Sequence, residues 1–180
     1  MEALECIKTR RSIRKFKPEP VSKDTLEQIV EAASMAPSWK NTQITRYNVI
    51  ENADIKENIA KNCTLGFEHN CEIITGAPQL VVVSMIANRC GYERDGSFTT
   101  SKEDRWEMFD AGIASQTFCL AAHDMGVGSV ILGIFDEASV AKAISLPENE
   151  KVAALIPIGY PDQECEPPKR KTVEDLLRNI

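Results

Sequence analysis

The stretch that decides the fold is Gln79-Leu-Val-Val-Val-Ser-Met-Ile-Ala87, which is apolar at nearly every position. A half-buried strand alternates apolar and polar side chains, whereas a strand that is buried on both faces reads as a continuous apolar run. This stretch is therefore predicted to be a strand at the centre of a sheet that is covered on both faces.

Helices and strands alternate on both sides of this stretch, which predicts a sheet between layers of helices. We expect residues 1–180 to form a single domain. The predicted helices cover 1–8, the segment from Ser22 to before Pro37, 54–62, 103–125 and 136–144, with a last short helix starting at Thr172; the other predicted strands cover 46–50, 128–132 and 152–158.

The long helix predicted over 103–125 is apolar on both of its faces. Trp106, Phe109 and Phe118 are interleaved with small residues such as Ala111 and Ala114. A helix of this kind is predicted to be buried rather than amphipathic. It serves either as the core of one subunit or as the seam between two.

Composition excludes several classes of function. No apolar run approaches the roughly 20 residues that span a bilayer, and the acidic start Met1–Glu5 lacks the regions of a signal peptide. We therefore expect a cytoplasmic protein with no membrane partner. A net charge of -6 disfavours nucleic acid as a partner, because phosphate backbones require a broad positive face.

The six cysteines are scattered and show no paired spacing, which is typical of reduced intracellular thiols. We predict no metal site, because the spacing of Cys63, His69 and Cys71 matches no zinc pattern. Cys119 and His123 lie four residues apart on the long helix. With no third group to orient them, a buried structural pair is favoured over a catalytic dyad.

Two basic clusters stand at opposite ends of this acidic chain. Arg10, Arg11 and Arg14 surround Ser12, and the Pro-rich stretch 161–168 leads into Lys169-Arg-Lys171. Arginine binds phosphate or carboxylate with two parallel hydrogen bonds, and a serine hydroxyl adds another. A single shared anion is therefore predicted. The alternative is a solvated basic helix end that complements the helix dipole.

A dinucleotide fingerprint is excluded. Gly126-Val-Gly128 has the first two glycines of that motif, but its sixth position is Ile131. The glycines also follow a helix and precede a strand, which is the reverse of the required order.

Two further motifs lie between the basic clusters, Ala36-Pro-Ser-Trp-Lys-Asn-Thr-Gln43 and Gly126-Val-Gly-Ser-Val-Ile-Leu-Gly133. In this order the four motifs resemble the FMN-dependent nitroreductase family over nearly the whole chain. The resemblance implies an α+β fold with a mixed, largely antiparallel sheet between helices. It also implies a homodimer with FMN at the subunit interface, in which a C-terminal arm, residues 161–180, crosses to the partner.

The resemblance assigns three groups of FMN-binding residues and no catalytic side chain, because the flavin carries the chemistry. The position of Leu132 is a glutamate in some relatives, so a proton-donating side chain is absent here. The implied ligands of the phosphate and ribityl chain are Arg10, Arg11, Ser12, Arg14, Lys169 and Arg170, with Lys171 as an alternative to Arg170; the implied contacts from the second subunit are Pro37, Ser38, Trp39, Asn41 and Gln43; the implied neighbours of the flavin ring are Ile131, Leu132 and Gly133.

The resemblance also implies the reaction. A hydride passes from NADH or NADPH through FMN to a nitroaromatic, a quinone or a similar acceptor by a ping-pong mechanism. The donor and the physiological acceptor remain open, and a non-catalytic flavin-binding redox sensor or store is the alternative. The polar segment 88–101 carries two glycines and is predicted to be a surface excursion or a lid over the ligand.

Overall fold

A computed structural model describes all residues from Met1 to Ile180. Four strands form one antiparallel sheet in the order β1-β2-β4-β3. The predicted strand is β2, which lies between β1 and β4, and its residues from Gln79 to Met85 are all buried. Its central position is therefore confirmed. The strands are β1 (Thr45–Ile50), β2 (Gln79–Ile86), β3 (Gly128–Ser129) and β4 (Glu150–Gly159).

The helices agree with prediction except for one addition, α4, which the sequence analysis did not include. No side chain caps its first turn, so its start carries none of the usual capping signals. The helices are α1 (Ala3–Thr9), α2 (Lys23–Ala33), α3 (Ala53–Asn62), α4 (Glu68–Gly76), α5 (Arg105–Asp124), α6 (Glu137–Ala143) and α7 (Val173–Leu176).

Helices cover both faces of the sheet, as predicted. Because side chains alternate along a strand, Leu80 and Val82 of β2 pack in one apolar cluster with α3, α4 and α6. Val81 and Val83 pack in the other cluster with α2 and α5. The continuous apolar run of β2 thus supplies the core on both sides.

The basic segment near the N-terminus is attached to the edge of the sheet. Ser12 forms a parallel bridge with Ser129, and the N–H of Ile13 donates to the carbonyl of Ser129 at 3.0 Å. This bridge is the parallel component of an otherwise antiparallel sheet. A Cβ atom on Gly128 would lie 2.9 Å from the side chain of Ile13, so only glycine permits this approach.

Two predictions need correction. The strand predicted over 128–132 is shorter, because only Gly128–Ser129 pairs as a strand and Leu132 returns to β4 through a single bridge with Leu155. The long helix is not buried on every side. Met108 is 50% exposed and Phe109 is 58% exposed, which leaves an apolar face of α5 open to solvent in one chain.

The cysteines and histidines form no metal cluster, and all six thiols are free. The imidazole of His123 contacts the hydroxyl of Thr9 at 2.9 Å. Its neighbour on the helix, Cys119, is buried in the core cluster between α5 and the sheet. None of the helices combines the length and the apolar character that a bilayer crossing requires.

Candidate cofactor site

The two basic ends of the chain meet at one cavity of about 330 Å³, which we call the arginine pocket. The start of the C-terminal segment is held there by backbone bonds, from the N–H of Lys17 to the carbonyl of Tyr160 and from the N–H of Asp162 to the carbonyl of Lys15. Lys169 does not line the pocket. The lining residues are Arg10, Arg11, Ser12, Arg14, Cys165, Glu166, Pro168 and Arg170.

None of the four arginines that line this pocket forms an ion pair with a carboxylate. Arg11 donates through Nη1 to the carbonyls of Lys8 and Arg10, and its buried Nε has no partner. Arg14 is exposed and reaches only the carbonyl of Ser12, at 3.3 Å. Unpaired guanidinium groups at such density favour the binding of an anion with several oxygens.

A second cavity, of about 400 Å³, adjoins the arginine pocket, because Arg14 lines both. We call it the glycine cavity. It contains all three residues assigned to the flavin ring. Its lining residues are Arg14, Phe67, His69, Asn70, Ile73, Val130, Ile131, Leu132, Gly133 and Ile134.

The ring segment 131–133 has two backbone N–H groups that are free to bind a ligand. The N–H of Leu132 donates to the carbonyl of Leu155 at 2.8 Å, and the side chain of Leu132 is buried in the core. The N–H groups of Ile131 and Gly133 donate to no protein acceptor. A Cβ atom on Gly133 would meet no atom within 4 Å, so a flat ligand has room to approach this residue.

Asn70 is a lining residue that the sequence analysis missed. It lies on α4, is 5% exposed, and donates through Nδ2 to the carbonyl of Ile134 at 3.1 Å. Its Oδ1 accepts no hydrogen bond from the protein. Because α4 was not predicted, no pattern in the sequence indicated that this amide is buried beside the ring segment.

The segment from Pro37 to Gln43 lies elsewhere. Pro37, Ser38 and Gln43 line a cavity of about 350 Å³ between α2, β1 and α5, together with Asp110. It shares no lining residue with the arginine pocket or the glycine cavity. A single chain therefore does not bring this segment to the other predicted FMN-binding residues.

Residues Trp39–Asn41 form a single 3-10 turn with an unusual backbone. Lys40, Asn41 and Gln43 have φ angles of 44°, 55° and 49°, in the left-handed region. The hydroxyl of Ser38 accepts the N–H of Gln43 at 3.0 Å, and the Asn41 amide oxygen accepts from the Gln43 amide at 3.1 Å. The Trp39 ring packs on Trp106 at a centroid distance of 4.6 Å.

Electrostatics near the arginine pocket act on His123, which lines an adjoining cavity with Arg10 and Arg11. Burial lowers the pKa of His123 below its ordinary value of 6.5, and the positive charges of the two arginines lower it further. The imidazole is therefore held neutral beside a cationic site.

The Nitroreductase family model matches residues 7–70 and 65–160. A protein of Methanothermobacter thermautotrophicus, provisionally named an NADH dehydrogenase/NAD(P)H nitroreductase, is 30% identical over 165 residues, 89% of this chain and 78% of that protein. A solved nitroreductase family protein of Clostridium novyi is 31% identical, with a TM-score of 0.77 over 90% of this chain and 86% of that one. A structure from Desulfovibrio desulfuricans, solved in complex with FMN, is 28% identical with a TM-score of 0.78, covering 100% and 98%.

A pocket lined by unpaired guanidinium groups can accept an anionic group, and the adjoining cavity, which has an apolar wall, can accept a flat ring. The family match covers the N-terminal basic motif, the segment 36–43 and the ring segment, and it ends before the C-terminal basic motif at 169–171. The chain belongs to the nitroreductase family.

Proposed function

We propose that this chain is an FMN-dependent oxidoreductase that uses NADH or NADPH to reduce a nitroaromatic, a quinone or a similar small acceptor. The observation that carries this proposal is the arginine pocket, in which four guanidinium groups without acidic partners adjoin the glycine cavity. The solved relative that contains FMN and the relative named for NAD(P)H support the assignment of cofactor and donor.

The residues present fit FMN. Arg10, Arg14 and Arg170 would hold its phosphate, and Ser12 would add a hydroxyl bond. Arg11 keeps Nε and Nη2 without a protein acceptor, because only its Nη1 is engaged with the backbone. Glu166 also lines the pocket, and its carboxylate would repel an anion there. The excess of guanidinium groups over carboxylates still favours the phosphate.

Bound FMN would supply hydride transfer, and the chain would hold the flavin in position and exclude water from it. The free N–H of Gly133 would stabilise negative charge at the edge of a ligand in the glycine cavity. Phe67, Ile131 and Ile134 give this cavity an exposed apolar wall, which would exclude water and accept a flat aromatic compound. Leu132 offers no proton, so no side-chain acid is assigned.

The complete site requires a homodimer in this proposal. One chain leaves the Pro37–Gln43 segment away from the arginine pocket, so a second copy would bring it to FMN. The exposed apolar residues of α5 would form part of the interface. The arm after Pro161 would reach the partner, because the side chains of its apolar residues Val173, Leu176, Leu177 and Ile180 are exposed.

A ping-pong mechanism follows from a single ligand cavity next to the cofactor. Donor and acceptor would occupy the glycine cavity in turn, so the first product must leave before the acceptor enters. Steady-state rates measured at several donor and acceptor concentrations should give parallel double-reciprocal lines. Intersecting lines would show that both substrates bind together and would contradict the shared cavity.

The experiment that tests the assignment is identification of the ligand that purifies with the protein. Mass spectrometry should find FMN at one molecule per chain. Another flavin, or none, would contradict the proposal. A protein that holds FMN but is not reduced by NADH or NADPH would instead be a flavin-binding sensor or store.

A further inference from the structure

One buried carboxylate joins two segments that the sequence analysis assigned to separate parts of the site. Asp110 lies on α5 and is 3% exposed. Its Oδ2 accepts the backbone N–H of Trp39 at 2.8 Å and the thiol of Cys90 at 3.1 Å. Trp39 begins the turn 39–41 and Cys90 lies in the loop 88–101. The same oxygen therefore holds both segments.

The turn depends on this support because its backbone is strained. Lys40 and Asn41 adopt left-handed φ angles, which residues other than glycine rarely adopt. Such conformations persist only where the surroundings hold them. Asp110 is the side chain that bonds to the backbone of residues 39–41, so its loss would leave the N–H of Trp39 without this acceptor.

The loop is held at two points by one turn of α5. Glu107, which is 1% exposed, accepts the N–H of Asn88 at 2.5 Å and the ammonium of Lys151 at 3.0 Å. Asp110 binds the loop two residues further on, at Cys90. Burial first, and then the bond to Asp110, raise the pKa of Cys90 to about 12, so the thiol stays protonated and donates.

Side chains complete the connection between the turn and the loop. The indole N–H of Trp106 donates to the hydroxyl of Thr100 at 2.9 Å, and the Trp106 ring packs on Trp39. At the surface, Lys40 pairs with Glu93 at 3.2 Å. The turn and the loop thus form one unit, with Asp110 at its buried centre.

We propose that Asp110 is a positioning residue that sets FMN affinity through the turn 39–41 and acceptor selection through the loop 88–101. This inference rests on the proposed function, in which a second copy brings the turn to FMN, and on the expectation from the sequence that the loop is a lid over the ligand. Glu107 supports the loop alone. Asp110 differs because it acts on both segments.

Four variants separate these effects. Asp110→Ala removes the acceptor for both segments. Cys90→Ala removes only the donor of the loop, and Cys90→Ser restores a donor there. Thr117→Ala is the matched control, because it deletes a hydrogen bond within α5 to the carbonyl of Ile113, away from the turn and the loop.

The first measurement is amide hydrogen exchange of the apoprotein, which does not depend on the cofactor. Asp110→Ala should speed exchange in both 39–41 and 88–101, and Cys90→Ala in 88–101 alone. Cys90→Ser and Thr117→Ala should match the wild type. Unchanged exchange at 39–41 in Asp110→Ala would overturn the inference.

The second measurement is fluorescence titration with FMN, followed by acceptor kinetics. Asp110→Ala should bind FMN roughly tenfold or more weakly. Cys90→Ala should bind it within about twofold of the wild type but show a changed acceptor KM. Equal FMN affinity of Asp110→Ala and wild type would overturn the inference and leave the proposed function standing. A wild type that binds no FMN would overturn the proposed function, and the exchange data would still show whether Asp110 joins the two segments.

Discussion

At the scale of single residues, the unpaired arginines are the strongest feature of the molecule. Arg14 lines both cavities and bonds only to the carbonyl of Ser12, so its charge is available to a ligand. The sequence motif indicated Arg10, Arg11, Ser12 and Arg14 as one group. The structure places these residues around the arginine pocket, beside Arg170 from the other end of the chain.

Arg14→Ala should weaken FMN binding, because loss of a charge-assisted hydrogen bond costs about 1.5 to 3 kcal/mol, or roughly 10- to 150-fold in affinity. Arg10→Ala should have a similar effect. Fluorescence titration of refolded apoprotein measures both. Lys17→Ala, an exposed cation that lines neither cavity, is the control. Wild-type affinity in both arginine variants would contradict the phosphate assignment and support the alternative, a solvated basic helix end.

The pKa of His123 predicts a dependence of stability on pH. Its folded-state pKa is below the unfolded value of 6.5, so the unfolded chain binds the proton more readily. The contribution of this group is present above pH 6.5 and is lost as the pH falls through the lowered folded-state pKa. His123→Gln should therefore show less acid-induced loss of stability than the wild type in denaturant titrations.

Inorganic phosphate or FMN should raise the pKa of His123, because an anion beside Arg10 and Arg11 offsets their positive charge. The chain has only two histidines. An NMR titration can follow both imidazoles, with His69→Gln to assign the signals. A pKa of His123 that does not change when phosphate binds would place the anion away from these arginines.

The sequence could group residues whose charge was out of place, but it could not identify residues whose role is decided by burial. An arginine cluster in an acidic chain is visible in the sequence. The buried amide of Asn70 and the buried carboxylates of Glu107 and Asp110 cannot be recognised in the sequence. The same residues on exposed helix faces would give the same sequence pattern. Their roles follow from which atoms surround them.

At the scale of elements, β2 shows why the core of the fold could be predicted. A strand made of a continuous run of β-branched and other apolar residues can bury all of its side chains only between two layers of helices. The helix α4 lacked a capping side chain, and β3 is held by two paired residues and one bridge. Their bounds depend on tertiary contacts, which local patterns do not contain.

Two glycines of the same motif should respond differently to substitution. Gly128→Ala places a Cβ atom 2.9 Å from Ile13 and should lower the melting temperature. Gly133→Ala meets no atom within 4 Å, so the apoprotein should melt as the wild type does. FMN affinity should nevertheless fall in Gly133→Ala, because the added methyl group occupies the space that the ring needs. Calorimetry and titration of both variants test this contrast. Unchanged FMN affinity in Gly133→Ala would place the ring elsewhere.

At the scale of the whole molecule, two features of one chain would be explained by the proposed homodimer. The chain exposes apolar side chains on α5, and it holds the segment 37–43 away from the arginine pocket. A second copy would cover the apolar face of α5 and bring the segment 37–43 to FMN. The long apolar helix indicated either the core of one subunit or a seam between two, and the sequence could not specify which of its residues would be exposed.

Met108→Glu should weaken the dimer and FMN binding together, because a charge would be buried at the interface. Ala138→Glu, which adds the same charge at an exposed position of α6, is the control. Sedimentation and FMN titration at matched protein concentrations test the coupling, since a ligand that binds only the assembled state stabilises it. A folded monomer that retains stoichiometric FMN would contradict the shared site.

The central claim, that this family member is an FMN-dependent NAD(P)H oxidoreductase, is tested most directly by anaerobic mixing. Purified protein with its bound ligand is combined with NADH or NADPH, and the visible absorbance of the flavin is followed. The account predicts that the absorbance bleaches within seconds and returns when a quinone or nitroaromatic is added. Bound FMN that stays oxidised for hours with both donors would contradict it.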